Sequence, residues 1–419
     1  MRDLIRSSIG TDCLLEADAV HKYAVHGEAP GAVVAPRSTE EAAAIMKLAT
    51  QEGFIVECAG AGTHLRAGNA PDKVDVVLTS ARMNGIAEYE PADLVVAVQA
   101  GATFNTLSDA VSPHNQFFAL DPAGEAGSTV GAAVATSAAG PLRFAHGTPR
   151  DQVLGLEIVT GDGRVLHYGG RVVKNVAGYD IVRLMVGSRG TLGFLTRINV
   201  RLKPQPEVDH TIAVSASSFA AIADITDAIL AAGLDPVALE ILSEPISMAV
   251  TAQNAWSLLL RLHGNTHAIA DAHEKIAALG GSATVRELKT ATWRLLAQEE
   301  AKAAVSIRIA NLQSLLRETT LAALRIAQEA ELSNARLAIH AGDGIVRLLA
   351  DEAQALRTPE IMRNARAAIE QAGGSLIVER AQHGMRLDAF GKAQAAGLMQ
   401  QMKKVFDPAG ILSPGRFVV

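Results

Sequence analysis

Residues 169–193 read GGRVVKNVAGYDIVRLMVGSRGTLG, a mixture of residue types that packing alone does not explain. The twenty positions 174–193 carry four glycines, one lysine, one tyrosine and two arginines. Glycine leaves the backbone open to close approach by a ligand, and the cations can hold a ligand's anionic groups. We interpret this stretch as part of a binding site rather than as a plain core element.

Two further segments of small residues lie upstream of it. Residues 60–62 read GAG after a predicted strand, and residues 127–140 read GSTVGAAVATSAAG. A Rossmann fingerprint does not fit the first, because position 65 is Leu65 and no helix with dinucleotide spacing opens there. Each segment alone could be a tight turn or a closely packed helix. Together they predict two loops whose backbone N–H groups bind the two ends of one long cofactor.

Periodicity and turn residues predict an α+β protein. Ser38 followed by Glu41 is a capping-box pattern that opens a helix running to about Glu52, and residues 161–163 (GDG) predict a hairpin turn. Strands are predicted at 32–35, 54–59, 74–78, 93–100, 155–160 and 164–168, and then at 211–215, 237–242, 257–263, 305–310, 335–340 and 375–380.

The length of 419 residues favours more than one domain, and Pro204 and Pro206 mark a boundary. We predict a helical segment at 1–28, a cofactor-binding domain at 29–206, and a cap domain at 207–384. The cap alternates strands with helices, which predicts an antiparallel sheet covered by helices on one face. A C-terminal helix and tail at 385–419 are expected to return to the cofactor-binding domain.

Composition restricts the functional classes. The net charge is −6 and no long basic run occurs, so a nucleic-acid partner is not expected. Cys13 and Cys58 are the only cysteines. They are too few to hold an iron–sulfur cluster, and they do not suggest a disulfide framework. The N-terminus soon reaches acidic residues, and apolar runs fall short of the ~20 residues that a bilayer requires. We therefore expect a soluble, cytoplasmic chain without a direct membrane span.

The glycine-rich stretches together resemble the FAD-binding domain of the vanillyl-alcohol-oxidase (PCMH-type) superfamily, and within it the E subunits of bacterial glycolate oxidase. The resemblance is carried by residues 60–68 (GAGTHLRAG), 127–143, 147–161 (GTPRDQVLGLEIVTG), 169–204 and 406–417 (FDPAGILSPGRF). It covers most of residues 30–206 and the tail, whereas the cap matches only loosely. It implies a two-subdomain FAD-binding domain followed by an α/β cap.

The resemblance also implies which residues surround FAD. The pyrophosphate loop corresponds to Ala59, Gly60, Ala61, Gly62, Thr63 and His64, and the second FAD loop to Gly127, Ser128, Thr129 and Gly131. The segments around the adenine and ribityl parts contain Arg150, Asp151, Gly187, Gly190, Thr191, Leu192 and Gly193. Lys174 and Asn175 correspond to the approach to the isoalloxazine, and Arg416 belongs to the tail. Some superfamily members bond flavin to a histidine near the first loop, but the E-subunit pattern has another residue there. We therefore expect non-covalent FAD.

Oxidation of a 2-hydroxy acid by a flavin needs a cation for the carboxylate and a base for the hydroxyl proton. Arginine suits the carboxylate best. The cap offers Arg308, His340, Arg347 and His383 as candidate catalytic residues, with Arg380 beside the last. A strand arginine is more often a surface or ion-paired group, so these candidates depend on where the cap sheet places them.

A metal site is not expected in this chain. Catalytic D-2-hydroxyacid dehydrogenases of the superfamily carry a His-x-Gly-Asp-Gly-Asn-x-His motif and a later Glu-His-Gly that bind a divalent metal. Here His340 and Asp343 match, but Ile345 replaces the Asn, Arg347 the second His and Gln382 the Glu. Too few ligands remain for a catalytic zinc, and the arginine would repel a cation.

Two functions stay open at this point. One is FAD-dependent oxidation of glycolate or a related small 2-hydroxy acid, as a subunit of a glycolate oxidase-type complex. The other is an electron-relay or structural subunit that carries FAD while a sister chain performs the substrate chemistry. A sugar oxidase is disfavoured, because aromatic residues make up only 4% of the chain. The resemblance implies a flavoprotein sister subunit and an iron–sulfur subunit, through which the chain could associate with a membrane.

Overall fold

The structure is a computed structural model, and it describes residues 1–124, 127–170, 179–351, 359–381, 385 and 387–418. In chain order the strands are β1 Ala32–Val34, β2 Val56–Ala59, β3 Val76–Thr79, β4 Ile86–Glu90, β5 Val95–Gln99, β6 Gln116–Phe117, β7 Val153–Val159, β8 Val165–Gly169, β9 Phe194–Arg201, β10 Lys203–Pro204, β11 Val208–Ala216, β12 Ala238–Leu242, β13 Trp256–Gly264, β14 Thr284–Leu288, β15 Val305–Ala310, β16 Arg336–His340, β17 Ile345–Ala350 and β18 Ser375–Arg380.

The α-helices lie within the same described residues. In chain order they are α1 Arg2–Ile9, α2 Ala17–Lys22, α3 Thr39–Glu52, α4 Phe104–Val111, α5 Val130–Thr136, α6 Arg143–His146, α7 Pro149–Gln152, α8 Ile181–Met185, α9 Phe219–Ala231, α10 Glu244–Thr251, α11 Thr266–Gly280, α12 Ala291–Lys302, α13 Leu316–Glu329, α14 Pro359–Gln371 and α15 Ala396–Phe406. None of the helices in the described ranges has the length and apolar character needed to cross a bilayer.

The first subdomain is a parallel sheet in the order β1-β3-β2, packed against α3. Helix α3 begins where the capping pattern predicts, since Ser38 Oγ accepts a hydrogen bond from the Glu41 backbone N–H at 3.2 Å. It ends at Gly53, which adopts the left-handed conformation (φ 68°) that glycine tolerates best. The core between them contains Val34, Met46 and Leu78.

The second subdomain is an antiparallel sheet in the order β4-β5-β9-β7-β8. The hairpin predicted at the GDG turn is confirmed, with Val159 paired to Val165. The sequence patterns did not predict β9, although it lies at the centre of this sheet. It follows the glycine-rich stretch directly, with Gly193 as the residue before it, and the sequence prediction did not separate it from that stretch.

The cap is one eight-stranded antiparallel sheet in the order β14-β11-β13-β12-β16-β17-β15-β18. The predicted antiparallel sheet is therefore confirmed, while β14 and β17 were missed. Helices α9, α11, α13 and α14 pack on one face. Helices α10 and α12 pack on part of the other face through Ile246, Val250, Trp293 and Leu296, so the expectation that helices cover only one face was wrong. The rest of that second face lies toward the first and second subdomains.

The C-terminal tail lies against the first subdomain. Leu412 forms a parallel bridge with Val56. Arg416 is buried, and its Nε donates to Glu57 Oε1 at 3.0 Å while its two terminal nitrogens donate to backbone carbonyls of Leu65 and Asn69. A buried guanidinium with every group paired fixes the tail beside the first glycine loop.

Candidate active site

The first two glycine loops meet in space. Thr63 Oγ1 lies 3.5 Å from Ser128 Oγ, and Ser128 Oγ lies 3.4 Å from His64 Nε2. A Cβ at Gly60 would collide with Thr129 Oγ1, so this glycine is required for the close approach of the two loops. Thr129 in turn caps α5 by accepting from the Ala132 backbone N–H.

These loops form the wall of a cavity of about 650 Å³, named here the first cavity. Its lining is mostly backbone and small side chains. The predicted cofactor residues among the lining groups are Ala59, Gly60, Gly62, Thr63, His64, Gly131, Gly190, Gly193 and Arg416. Burial, together with the charges of Arg380 and Arg189, lowers the pKa of His64 to about 4, so its imidazole is neutral at physiological pH.

Arg189 lies where the first cavity joins a second one. Its backbone has φ 55°, a conformation uncommon for a residue with a side chain. The guanidinium lies over the Phe390 ring at 4.8 Å and makes no hydrogen bond within the described residues. Burial lowers the pKa of Arg189 to about 10, which leaves it cationic at neutral pH. The junction therefore presents a cation with free donors.

The second cavity, about 1100 Å³, lies between the cofactor-binding subdomains and the cap. It shares Thr63, His64 and Arg189 with the first cavity. The cap supplies Ser306, Arg308, Arg347, Ile377, Glu379 and Arg380 from strands β15, β17 and β18. Two of the four predicted catalytic residues, Arg308 and Arg347, are thereby brought to one wall.

Glu379 connects these arginines. The register between β15 and β18 shifts at Ser306 and Ile307, which pair with Arg380 and Val378, so Glu379 is the extra residue of a β-bulge. Glu379 Oε2 accepts from Arg347 Nε at 3.0 Å. Burial alone would raise the pKa of Glu379, but Arg347 and Arg308 outweigh it and lower that pKa to about 2. The carboxylate is therefore ionised.

His340 lies behind this wall and does not line either cavity. It is 1% exposed, with Nδ1 against Glu240 Oε1 and Nε2 against Arg347 NH1. Arginine only donates, so a neutral ring with its proton on Nδ1 satisfies both contacts. Burial, reinforced by the charge of Arg347, lowers the pKa of His340 to about 3. The expectation that His340 contacts substrate does not fit this placement; it supports Arg347 instead.

Arg347 itself is held from three sides. Besides Glu379 and His340 it donates through NH2 to the Ala139 carbonyl at 3.2 Å, which ties the cap to the second glycine segment. Burial would lower the pKa of Arg347, but Glu379 and Glu300 raise it above its ordinary value. Asp343, the other residue retained from the metal motif, pairs with Arg143 at 3.2 Å rather than with His340.

The remaining predicted residues occupy other positions. Arg150 and Asp151 are exposed and line neither cavity. The Asp151 carboxylate accepts from the backbone N–H and the hydroxyl of Thr148, the N-cap residue of α7. Among the other predicted cofactor residues, Ala61, Gly127, Ser128, Thr129, Gly187, Thr191 and Leu192 do not line the cavities in the described residues but flank or support the loops that do. Lys174, Asn175 and His383 lie outside the described residues.

Sequence reasoning missed Glu379, Glu300 and Arg189 as site residues. Glu379 reads as an ordinary strand residue, and only the bulge turns it toward the arginines. Glu300 lies on α12, on the cap face that was expected to lack helices. Arg189 stood inside the quoted stretch, and its place between two glycines was the signal that could have singled it out.

Comparison with known proteins identifies the family. A profile described as "FAD linked oxidases, C-terminal domain" matches residues 205–417, and one described as "FAD binding domain" matches residues 30–169. The chain belongs to the FAD-linked oxidases. As an FAD-linked oxidase, it is an oxidoreductase that uses FAD as its cofactor.

Relatives and solved structures agree with this family. The chain is 30% identical to the glycolate oxidase subunit GlcD of Bacillus subtilis (strain 168), over 92% of this chain and 88% of the relative. It is 29% identical to the D-lactate dehydrogenase of Archaeoglobus fulgidus, over 92% and 91%. The crystal structure of p-cresol methylhydroxylase with substrate bound superposes with a TM-score of 0.77 at 17% identity, covering 100% of this chain and 96% of that one, which shows a shared fold.

The residues of this FAD-linked oxidase fit the cofactor. The first cavity offers backbone from two glycine loops, and its buried Glu57 Oε2 has no hydrogen-bond partner in the described chain. A ribose or ribityl hydroxyl is the kind of donor that this oxygen lacks. Arg189 supplies unpaired donors for an anionic group at the junction.

Proposed function

We propose that this FAD-linked oxidase oxidises a small 2-hydroxy acid such as glycolate. Three relatives support the substrate class: the glycolate oxidase subunit of Bacillus subtilis, the D-lactate dehydrogenase of Archaeoglobus fulgidus, and a D-2-hydroxyglutarate dehydrogenase of Xanthomonas citri pv. viticola at 26% identity over 92% of this chain and 89% of that one. The observation that supports the proposal most directly is that Arg308 has unpaired terminal nitrogens in the second cavity, as far as the described residues go.

Arg308 is the arginine available to a substrate carboxylate. Its side chain is 26% exposed, and its one ion pair runs from Nε to Glu379 Oε1 at 3.4 Å. Its terminal nitrogens make no hydrogen bond in the described part of the chain, whereas Arg347 donates from all three of its nitrogens. In our proposal Arg308 holds the carboxylate through charge-assisted hydrogen bonds, and Arg347 positions Glu379 beside it.

The remaining roles follow the predicted assignment. Bound FAD would supply the acceptor for a hydride from the hydroxyl-bearing carbon of the substrate. Residues 60–64, 127–131 and 187–193 would hold the cofactor, with Lys174 and Asn175 toward its isoalloxazine. Removal of the hydroxyl proton requires a base, for which we keep His383 as the proposal. Glu379 is a poor candidate, because its pKa of about 2 leaves little affinity for a proton.

We also propose that electrons leave through a protein partner, as in a glycolate oxidase-type complex with a flavoprotein sister subunit and an iron–sulfur subunit. Cys13 and Cys58 cannot hold a cluster, so a further relay must belong to another chain. The second candidate function, an electron-relay subunit without substrate chemistry, is favoured by one observation. Arg347 occupies the position where the metal-dependent dehydrogenases of the superfamily have a histidine.

Anaerobic mixing tests the two functions. The purified FAD-loaded chain is mixed with glycolate, D-lactate, L-lactate and 2-hydroxyglutarate, and flavin bleaching is followed by absorbance. Acetate and propionate are matched controls, because they carry the carboxylate without the hydroxyl. We expect bleaching by at least one hydroxy acid and none by the controls. Bleaching by dithionite but by no hydroxy acid would instead support the electron-relay function.

The partner proposal is tested on the reduced protein. In our proposal a partner protein, and not oxygen, is the electron acceptor of the reduced flavin. We therefore expect the reduced flavin of the isolated chain to react slowly with oxygen. Mixing the reduced chain with air-saturated buffer and measuring hydrogen peroxide gives the rate. Rapid, stoichiometric peroxide formation in the absence of any partner would identify a stand-alone oxidase.

A further inference from the structure

Three potential metal ligands meet at the far edge of the cap sheet, remote from both cavities. His210 lies on β11, Glu287 on the neighbouring edge strand β14, and His273 on helix α11. Strand β14 is the opposite edge of the eight-stranded sheet from β18, which carries Glu379. The cluster is thus separate from the site proposed above, and the oxidation of a 2-hydroxy acid does not account for it.

The ligand atoms are close enough for one ion. One nitrogen of each imidazole and one oxygen of Glu287 all lie within 4.8 Å of one another. His273 Nδ1 is 3.2 Å from Glu287 Oε1, and His210 Nε2 is 3.9 Å from the same oxygen. Bonds of about 2.0–2.2 Å in a tetrahedral zinc site separate ligand atoms by about 3.4 Å. To reach that spacing, the imidazole side chains as well as the exposed Glu287 side chain have to rotate toward a common centre.

A second observation concerns His210 Nε2. This nitrogen is buried and makes no hydrogen bond in the described part of the chain, and its distance to Glu287 exceeds hydrogen-bond range. Buried polar atoms in native proteins are nearly always paired or bound to an ion or water. The nitrogen faces the other two ligands, so a metal ion at their centre gives it the partner that it lacks.

The ligand types select the ion. Two neutral imidazoles and one carboxylate are a common protein ligand set for Zn²⁺, and they leave a fourth position for water. Glu287 has a side chain that is 60% exposed, so that position is open to solvent. Calcium and magnesium are disfavoured, because they take oxygen ligands.

We propose that His210, His273 and Glu287 form a Zn²⁺ site that fastens helix α11 to the edge of the cap sheet. The site joins the edge strand β14, its neighbour β11 and helix α11 through one side chain from each. The sequence shows no metal-binding motif for this site, because the two histidines are 63 positions apart and Glu287 lies 14 positions after His273.

Metal titration of the full FAD-loaded chain tests the proposal. After treatment with EDTA and its removal, Zn²⁺ is titrated in competition with a chromogenic chelator, and Co²⁺ is added separately to record its visible absorption. We expect one ion per chain, with the intense bands of tetrahedral cobalt. His210→Ala and His273→Ala are each expected to weaken Zn²⁺ binding at least tenfold. His267→Ala, an exposed histidine on the same helix, is the matched control and should bind as the wild type does.

Thermal unfolding gives a readout that does not depend on a variant's basal stability. Zn²⁺ should raise the Tm of the wild-type and His267→Ala proteins but not that of His273→Ala, because a ligand that binds only the folded state stabilises it. Absence of a stoichiometric site in the wild type overturns the proposal. Equal affinity in the wild type, His210→Ala and His273→Ala also overturns it.

Discussion

Arg308 and Arg347 lie directly opposite each other on the adjacent antiparallel strands β15 and β17, on the wall of the second cavity. Like charges opposed in this way destabilise a sheet. The carboxylate of Glu379 offsets the repulsion, since its two oxygens lie 3.4 Å from Arg308 Nε and 3.0 Å from Arg347 Nε. The three groups form one unit, in which the fully bonded Arg347 holds the carboxylate in place and Arg308 retains unpaired donors.

Replacing Arg308 tests its proposed role. Arg308→Met keeps an unbranched side chain but removes the guanidinium group, and with it the charge-assisted contact to a substrate carboxylate. Loss of such a contact costs about 1.5–3 kcal/mol, or roughly a ten- to 150-fold fall in kcat/KM. We expect flavin content and far-UV circular dichroism to stay unchanged while reduction by the preferred hydroxy acid slows by that factor.

Arg317→Met is the control for this variant. Arg317 is another cap arginine, but it pairs with Asp224 and Asp227 on helix α9. Its replacement should leave the stopped-flow reduction rate unchanged. Wild-type reduction kinetics in Arg308→Met would remove Arg308 from the site.

Glu379→Gln should destabilise the fold. The substitution leaves the two opposed guanidinium groups without their carboxylate, at a cost of about 1–3 kcal/mol in the free energy of unfolding. Because the folded-state pKa of Glu379 is lowered to about 2, the wild-type contribution is fully present above the ordinary pKa of 4.5 and is lost as pH falls toward 2.

Urea unfolding at several pH values measures this effect. The difference between wild type and Glu379→Gln should be constant from pH 5 to pH 7 and should shrink below pH 4.5. Glu360→Gln, on an exposed part of α14, is expected to show no such difference. An equal stability of the Glu379→Gln and wild-type proteins at pH 7 would show that the ion pairs contribute nothing net.

Much of the fold could be predicted from the sequence, because its signals are local. The capping pair Ser38 and Glu41, the GDG turn and the alternation in β15 each specify a short segment by chemistry within a few residues. The missed strand β9 depends on long-range pairing, because it lies between β5 and β7 in its sheet. Strand β17 pairs with β16 across the turn at residues 341–344 (AGDG), a local signal of the same kind as the first GDG turn that the strand prediction did not use.

The site was predictable only in part for the same reason. The glycine loops and Arg308, which the sequence singles out by bare backbone and by strand alternation, line the two cavities, and their roles stay predictions. His340 was misjudged, since burial and its contacts to Glu240 and Arg347 arise from strand order in the cap sheet. Glu379 is turned by a bulge, which no local pattern in its strand announces.

Flavin attachment should be non-covalent. Two side chains that line the first cavity, His64 and Cys58, are the kinds of residue that could bond a flavin. Burial raises the pKa of the Cys58 thiol, so the nucleophilic thiolate is not populated. Acid precipitation should therefore leave a colourless pellet and a yellow supernatant containing intact FAD, in both wild type and His64→Ala. A yellow pellet from the wild type that becomes colourless in His64→Ala would identify a covalent bond to His64.

The His340 region should hold no transition metal. Both ring nitrogens of His340 are occupied by Glu240 and Arg347, and the arginine would repel a cation. Elemental analysis of His340→Ala should therefore give the same zinc and manganese content as the wild type. A stoichiometric metal that is lost in His340→Ala but kept in His210→Ala would show that the altered motif still binds an ion.

Neutral histidines, one of them buried and two partly buried, should make the protein sensitive to mild acid. The folded-state pKa values of His340, His64 and His146 are lowered to about 3, 4 and 4, chiefly by burial, from an ordinary value of 6.5. Below pH 6.5 the unfolded chain therefore binds protons that the folded chain does not, so stability falls as pH falls toward 4. Each such histidine contributes a slope of up to about 1.4 kcal/mol per pH unit.

His340→Gln isolates the largest of these contributions. The variant should be less stable than the wild type at pH 7.5, because glutamine does not reproduce both contacts of the ring. Its free energy of unfolding should nevertheless fall less steeply between pH 6 and pH 4.5, by up to about 1.4 kcal/mol per pH unit. Replacing the exposed His267 by glutamine provides the control and should leave the wild-type slope unchanged. If His340→Gln also retains that slope, His340 is protonated in the folded protein over this pH range. The assignment of a neutral His340 ring between Arg347 and Glu240 is then wrong.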